Sequence, residues 1–76
     1  MQDRIIKILN EVRPEFDFGM ETNFISNGML DSFDLVTLVT ELDEAFGVSI
    51  DGTDILPENF ESAEAIEVLL KKNGAK

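Results

Sequence analysis

The sequence predicts a small all-α protein: a four-helix bundle with three main helices, one short helix and a long loop between helices 1 and 2. Three observations support this fold class. The chain has 76 residues, which is enough for one domain with a modest core. Apolar residues recur at helical spacing in three separate stretches. The five glycines and two prolines all lie outside these stretches, where they would end helices or form turns.

The first helix should run from about Asp3 to Arg13. Pro14 disfavours helical backbone at the residue before it, so the helix should end there. The pattern is amphipathic, with apolar side chains at helical spacing and two further isoleucines that widen the apolar stripe. The residues expected to face the core are Ile5, Leu9 and Val12, with Ile6 and Ile8 beside them.

Residues 14–30, PEFDFGMETNFISNGML, form a connection that is longer than most loops within compact domains. Four apolar residues within it should hold the loop against the core. Gly28 should supply a turn with a positive φ angle just before the next helix. The four anchoring residues are Phe16, Phe18, Phe24 and Ile25.

The second helix should run from about Ser32 to Phe46 and stop at Gly47. Asp31 is a good N-cap, and Asp34 stands three residues later, where a capping box places an acid. With a rotation of about 100° per residue, six apolar residues fall on one face of this helix, which should belong to the core. That face consists of Leu35, Leu38, Val39, Leu42, Ala45 and Phe46.

A second group lies on the opposite flank of this helix, close to Ser32. Phe33, Val36 and Thr40 fall together there, and a large apolar residue on the non-core side of a short acidic helix needs an explanation. Two explanations are open. Either another helix or the long loop covers this flank, or it is the apolar centre of a docking patch with a polar rim. The rim would consist of Asp34, Thr37, Glu41, Asp43 and Glu44.

The segment after residue 50 holds Gly52 and Pro57 and has room for only a short helix, expected around Asp54 to Leu56. Ser62 should then cap a final helix that reaches about Lys72. The inward face of that last helix should consist of Ala63, Ile66, Leu69 and Leu70.

The charge distribution argues against nucleic acid as a partner. The formal net charge is −10, and only Asp3 and Glu11 of the 16 acids lie outside the stretch from Pro14 to Leu70, which leaves 14 acids there and no lysine or arginine. Phosphate binding needs basic side chains, which this stretch lacks. The acidic body is either a well-solvated surface or a surface for basic partners, whose field would raise the encounter rate.

The composition also argues against an enzyme. The chain has no histidine and no cysteine, so the usual general base, the most common metal ligand and thiolate chemistry are all missing. No apolar run approaches the roughly 20 residues that span a bilayer, so we expect no membrane insertion. The lack of cysteine also suits a cytoplasmic protein.

Ser32 is the main candidate for a side chain that takes part in a chemical reaction. It lies in the predicted first turn of a helix, where free backbone N–H groups and the helix dipole favour a negative group such as a phosphodiester. No histidine can act as its base, and Lys71 and Lys72 lie far along the chain. Ser32 is therefore better interpreted as an acceptor of modification than as a catalytic nucleophile. On these grounds alone, an ordinary serine at a helix cap is the simpler explanation.

The stretch GMLDSFDLVTLVTELDEAFGVSI, residues 28–50, resembles the recognition helix of acyl carrier proteins and of the related peptidyl and D-alanyl carrier proteins. The motif is an acid, the modified serine and a bulky apolar residue, here Asp31, Ser32 and Phe33. An acidic helix with an apolar pattern follows and ends in Phe46. The similarity extends over nearly the whole chain. It implies the four-helix bundle of the acyl carrier proteins and a single phosphopantetheine-binding carrier domain over residues 1–76.

The resemblance implies that Ser32 carries a 4′-phosphopantetheine arm, added from coenzyme A by a phosphopantetheinyl transferase that uses magnesium. The thiol of the arm then holds an acyl or aminoacyl group as a thioester, so the chain is a non-catalytic carrier, expected to be a monomer. Its partners would be the transferase, an adenylating enzyme that loads it and downstream acyl-transfer enzymes with basic docking surfaces. Asp31 and Phe33 would flank the attachment site. The docking residues expected on the second helix are Phe33, Val36, Thr40, Glu41, Asp43 and Glu44.

Two threonines depart from the family's pattern. Thr37 and Thr40 stand where members that serve fatty acid synthesis often carry glutamate and a larger apolar residue. The form M-L-D-S-F, together with PENFES before the last helix, is more similar to stand-alone carriers that work beside adenylating enzymes, including D-alanyl carriers. Fatty acid, polyketide and nonribosomal peptide synthesis and D-alanylation are all open as pathways. The alternative function is an acidic helical interaction module that binds a basic partner through the second helix without covalent modification.

Overall fold

The computed structural model describes residues 1–20 and 22–75, and within them it contains three α-helices and two short 3-10 turns. These residues include no β-strand, so the predicted all-α class is confirmed. None of the described helices combines the length and the apolar character that crossing a bilayer requires. In chain order, the elements are α1 (Gln2–Val12), α2 (Ser32–Phe46), a first 3-10 turn (Gly52–Asp54), a second 3-10 turn (Pro57–Phe60) and α3 (Ala63–Lys72).

The bounds of α1 and α2 follow local signals in the sequence. α1 starts and ends one residue earlier than expected. Its end follows from Arg13, whose backbone is no longer helical (φ −132°, ψ 81°) ahead of Pro14. α2 has the predicted bounds. The capping box of Asp31 and Asp34 is present at its start, and Gly47 adopts the left-handed conformation (φ 65°) at its end.

The short fourth helix expected around Asp54 to Leu56 is only loosely matched, by two 3-10 turns, of which the first ends at Asp54 and the second starts at Pro57. Leu56 has extended backbone (φ −119°, ψ 142°), as a residue before proline prefers, and Pro57 begins the second turn. The chain therefore turns twice here and forms no continuous α-helix. α3 starts as predicted, with the Ser62 side chain as its cap.

The core lies between the three helices and the long loop, and among the described residues it contains only apolar side chains. The predicted core faces are buried except at their edges. The half-buried members are Ile6, Ile8 and Val12 of α1 and Ala45 and Phe46 of α2. Phe60 of the second 3-10 turn is fully buried, although the sequence pattern did not assign it to the core. The buried residues are Ile5, Leu9, Phe18, Phe24, Met29, Leu30, Leu35, Leu38, Val39, Leu42, Ile50, Phe60, Ala63, Ile66, Leu69 and Leu70.

Each end of α1 is fastened to an end of α2 by an arginine, so the two helices run antiparallel. Arg4, near the start of α1, donates from Nη2 to the Ala45 carbonyl oxygen at 2.6 Å, and its guanidinium lies 4.4 Å from the centre of the Phe46 ring. The Ala45 carbonyl is one of the last four in α2, which have no partner within the helix. Arg13, just after α1, donates to the Asp34 carboxylate in the first turn of α2.

Phe24 connects the long loop to the rest of the molecule. Its ring is fully buried and lies 5.0 Å, edge to face, from the Phe18 ring. Its N–H donates to the Glu61 carbonyl at 2.8 Å, and its own carbonyl accepts from the N–H groups of Met29 and Leu30 at 2.8 and 3.2 Å. Phe24 thus ties the loop to the segment before α3 and orients the residues that lead into α2.

The expected anchors of the long loop are confirmed. Phe18 and Phe24 are buried, and Phe16 and Ile25 are half-buried against the core. Gly28 has φ 73°, as predicted for a turn just before α2. Nothing lies within 4 Å of the position that a Cβ atom would take there. Glycine is therefore favoured at this position by the backbone conformation and not by lack of space.

We expect added salt to raise the melting temperature, because the described acids outnumber the cations that face them. The net charge is −10, and the ion pairs of the described residues use only Arg13, Lys71 and Lys72 as cations. Raising NaCl from about 0.1 M to about 1 M shortens the Debye length from about 10 Å to about 3 Å, which screens the repulsion. Thermal unfolding followed by circular dichroism should give a Tm about 5 °C higher. Magnesium chloride should raise it further at equal ionic strength, and a Tm indifferent to both salts would contradict this expectation.

Candidate functional site

Two acidic side chains cap the start of α2 reciprocally. Asp31 Oδ1 accepts a hydrogen bond from the Asp34 N–H at 3.0 Å, and Asp34 Oδ2 accepts one from the Asp31 N–H at 3.1 Å. Asp31 is therefore the cap, and Ser32 is the first helical residue. Met29 and Leu30 are buried just before the cap and hold this end of the helix against the core.

Ser32 is exposed and takes no part in the cap. Within the described part of the chain its hydroxyl forms no hydrogen bond, and the N–H groups of Ser32 and Phe33 have no acceptor. Unpaired N–H groups at the positive end of a helix dipole favour a bound anion. The explanation of Ser32 as an ordinary helix cap does not apply, because that role belongs to Asp31.

Arg13 is the basic side chain beside this helix start. It donates from Nη1 to Asp34 Oδ2 and from Nε to Glu15 Oε2, the second bond measuring 3.0 Å, and its guanidinium lies 5.3 Å from the centre of the Phe16 ring. The hydrogen bond to Asp34 is the main reason that the pKa of the Arg13 guanidinium is raised above its ordinary value. The pKa of Glu15 is lowered, first by a hydrogen bond from its own backbone N–H and further by Arg13. Two carboxylates and an aromatic ring thus hold the guanidinium against α2.

The outer side of α2 is uncovered. Phe33 is 84% exposed and Val36 is 62% exposed, so no described helix or loop packs over them, which excludes the first of the two explanations for this flank. Thr37 and Thr40 extend the same side, and their hydroxyls donate to the carbonyl oxygens of Phe33 and Val36 at 3.3 and 3.2 Å. Each threonine therefore uses its one donor within the helix. These four residues form an uncharged exposed surface, called the α2 face below.

The acids expected around this surface differ in their surroundings. Glu41 and Glu44 are exposed and lie beyond the α2 face, towards the end of the helix. Asp43 is half-buried, and its Oδ1 accepts from the Ile50 N–H at 3.0 Å, so it holds the chain that follows α2. Glu41 and Glu44 are thus free to meet a partner, whereas the Asp43 carboxylate has a structural role. Docking by these residues stays a prediction.

The family model described as "phosphopantetheine attachment site" matches residues 3–68. The chain belongs to the phosphopantetheine-attachment family. The match includes nearly all of α1, the long loop, α2 and more than half of α3, so it covers most of this family member. The cofactor of the family is 4′-phosphopantetheine, held covalently. Comparisons with curated proteins and with solved structures gave no match.

The start of α2 in this phosphopantetheine-family member fits the chemistry of the group. Phosphopantetheine attaches through a phosphodiester, which is anionic and needs an accessible hydroxyl. Ser32 presents such a hydroxyl beside two N–H groups that lack an acceptor among the described residues. The phosphodiester would also lie near the carboxylates of Asp31 and Asp34, and Arg13 already pairs with one of them. The residues present therefore fit the cofactor.

Two residues of this family member have roles that sequence reasoning did not assign. Arg13 pairs with Asp34, which lies 21 residues later, so spacing along the chain gives no signal for the contact. Asp43 bonds to the N–H of Ile50 seven residues later, and its place in the last turn of α2 is the only local signal. Both contacts join a residue of α2 to a residue outside that helix, so the pattern within α2 does not reveal them.

Proposed function

We propose that this chain is a carrier protein that holds an acyl or aminoacyl group as a thioester on a 4′-phosphopantetheine arm attached to Ser32. The observation that carries this proposal is the state of Ser32. It is an exposed hydroxyl without a hydrogen bond among the described residues, in the first turn of a helix that Asp31 caps. The arm supplies the thiol that a chain without cysteine lacks. Asp31 and Phe33 flank the attachment position.

In the attachment step, Ser32 Oγ attacks the phosphorus of coenzyme A that bears the pantetheine arm. The Oγ–P bond forms while the pyrophosphate P–O bond breaks, the adenosine bisphosphate part of coenzyme A leaves, and the hydroxyl proton passes to a base of the transferase. The chain has no histidine, so the transferase would supply this base and the magnesium ion. The chain itself positions the hydroxyl and offers two N–H groups to the phosphodiester. It is a substrate of the transferase and not an enzyme.

The transferase and the later partner enzymes would dock on the α2 face. Phe33 and Val36 supply its apolar centre, and Glu41 and Glu44 lie at one end of it, with Asp43 adding charge. A fitting partner has an apolar pocket for the centre and basic side chains over the acids. The partners would be the transferase, an adenylating enzyme that loads the arm, and acyl-transfer enzymes that receive the cargo.

The cargo we propose is a carboxylic or amino acid activated as its adenylate. The M-L-D-S-F form, the PENFES segment and the two threonines of the α2 face favour stand-alone carriers of this kind over carriers in fatty acid synthesis. Such a carrier would act as a monomer and as a single carrier domain over residues 1–76. It would work in the cytoplasm, where coenzyme A and ATP are available to the transferase and the adenylating enzyme.

The exposed α2 face also supports a second function. An acidic helical module could bind a basic partner through Phe33, Val36 and the acids beyond them without any modification of Ser32. This alternative uses the same surface, so loss of binding in salt would fit both functions. Only the covalent adduct separates them.

The test is the intact mass of the protein after incubation with coenzyme A, magnesium and a phosphopantetheinyl transferase of broad specificity. The wild type should gain one phosphopantetheine adduct, and Ser32→Ala should gain none. Ser49→Ala is the matched control, because Ser49 is also exposed but lies after α2, and it should gain the adduct like the wild type. No adduct on the wild type with two different transferases would refute the carrier and leave the unmodified module.

A further inference from the structure

The start of α2 concentrates negative charge. The carboxylates of Asp31 and Asp34 belong to its capping box, and the proposed phosphodiester on Ser32 would add a third negative group in the same turn. No lysine or arginine occurs between Pro14 and Leu70, so no basic side chain follows this turn until α3. The basic side chain that reaches the turn comes from the end of α1.

Arg13 makes that contact with a fixed geometry. Its Nη1 donates to Asp34 Oδ2 and its Nε donates to Glu15 Oε2, so the two sides of the guanidinium are occupied by different carboxylates. The guanidinium also lies over the Phe16 ring. The side chains of Arg13 and Asp34 are 27% and 16% exposed, so solvent screens this pair less than it screens a surface pair.

We propose that Arg13 is a positioning residue of the attachment site, which holds Asp34 in the capping box and offsets the charge that the phosphodiester adds at Ser32. This inference rests on the proposed attachment to Ser32. Arg13 acts through Asp34 and does not itself touch the hydroxyl. Its role differs from the family's motif, which consists of the residues around the serine and does not extend to the end of α1.

Two effects follow for the variant Arg13→Gln. In the attached form, two uncompensated carboxylates face the phosphodiester, so this form should melt lower than the unmodified form of the same variant by about 4 °C. The attachment reaction should slow about tenfold in kcat with KM little changed, because the charge on Ser32 develops only as the phosphoryl group transfers. Arg13→Lys should restore most of the rate, since lysine keeps the charge without the fork geometry.

Arg4→Gln is the matched control for these measurements. Arg4 joins the same two helices at their other end, through Ala45 and Phe46, and its loss changes the net charge equally. A purely structural contribution of Arg13 would resemble that of Arg4. The control variant should therefore lower the melting temperature of both forms by similar amounts and leave kcat unchanged.

The experiment uses the full chain in unmodified and attached forms, for the wild type, Arg13→Gln, Arg13→Lys, Arg4→Gln and the double variant Arg13→Gln/Asp34→Asn. Circular dichroism gives the melting temperatures, and intact mass gives the rate of attachment. The double variant removes the charge that Arg13 offsets, so it should bring the melting temperatures of the two forms together again. The proposed role of Arg13 would be overturned if Arg13→Gln lowered the melting temperature of the unmodified and attached forms equally and left kcat normal. Absence of an adduct on the wild type would instead refute the proposed function, so the two failures are distinguishable.

Discussion

Replacing Phe24 by alanine is expected to remove most of the protein's free energy of unfolding. The ring is fully buried and packs edge to face on Phe18. Removing a buried phenylalanine side chain costs about 3–5 kcal/mol. Domains are stable by only about 5–15 kcal/mol, and one of this small size belongs near the lower end. The backbone of Phe24 also bonds to Glu61, Met29 and Leu30, so the approach to the attachment site should lose its order with the ring.

Urea unfolding followed by circular dichroism measures this loss. The matched control is Phe33→Ala, which makes the same chemical change at a side chain that is 84% exposed. Its free energy of unfolding should stay within about 0.5 kcal/mol of the wild type. If Phe24→Ala unfolds cooperatively with the same urea midpoint as the wild type, the loop does not depend on this anchor.

The second large effect is expected at the α2 face, where Phe33→Ala should weaken docking while the fold stays intact. A central aromatic residue that fills a partner's pocket is worth about 2 kcal/mol or more, which corresponds to roughly a 30-fold loss in affinity. For the transferase we expect this loss in KM, with kcat little changed, because the side chain binds the partner and does not take part in the transfer.

A pair of valines provides the control for this prediction. Val36 on the α2 face and Val68 on α3 are 62% and 63% exposed, so their replacement by alanine removes a similar exposed surface. Val36→Ala should raise KM about fivefold, whereas Val68→Ala should leave it unchanged. Equal values of KM for the two variants, or a normal KM for Phe33→Ala, would mean that the transferase docks elsewhere.

The sequence predicts well what depends on neighbouring residues. Asp31 and Asp34 form their capping box within one turn, and Gly47 ends α2 through its own backbone conformation. The expected short helix is matched only loosely, by two 3-10 turns, for an equally local reason. Pro57 keeps Leu56 extended, so no α-helix can run through this segment.

Contacts between residues far apart in the sequence could not be predicted in the same way. The hydrogen bond from Arg13 to Asp34 and the bond from Phe24 to Glu61 join residues 21 and 37 positions apart. Periodicity places each residue on a face of its own element but does not pair it with a residue of another element. For the same reason the sequence left open whether Phe33 is covered. The sequence predicted Asp31 as the cap, whereas the structure was needed to show that the Ser32 hydroxyl is exposed and forms no hydrogen bond among the described residues.

The arginines at the two ends of α1 also restrict how the molecule can move. A helix held at one end can swing about that point, but α2 is held near its first turn by Arg13 and near its last by Arg4. Pivoting or sliding along α1 would break one of these contacts, so we expect the two helices to move as a pair. An arm on Ser32 would therefore leave the protein in a nearly constant direction. A rearrangement that makes room for a cargo would keep these contacts only on the other side of the bundle, where α3 packs against α1 and the second 3-10 turn packs against α3.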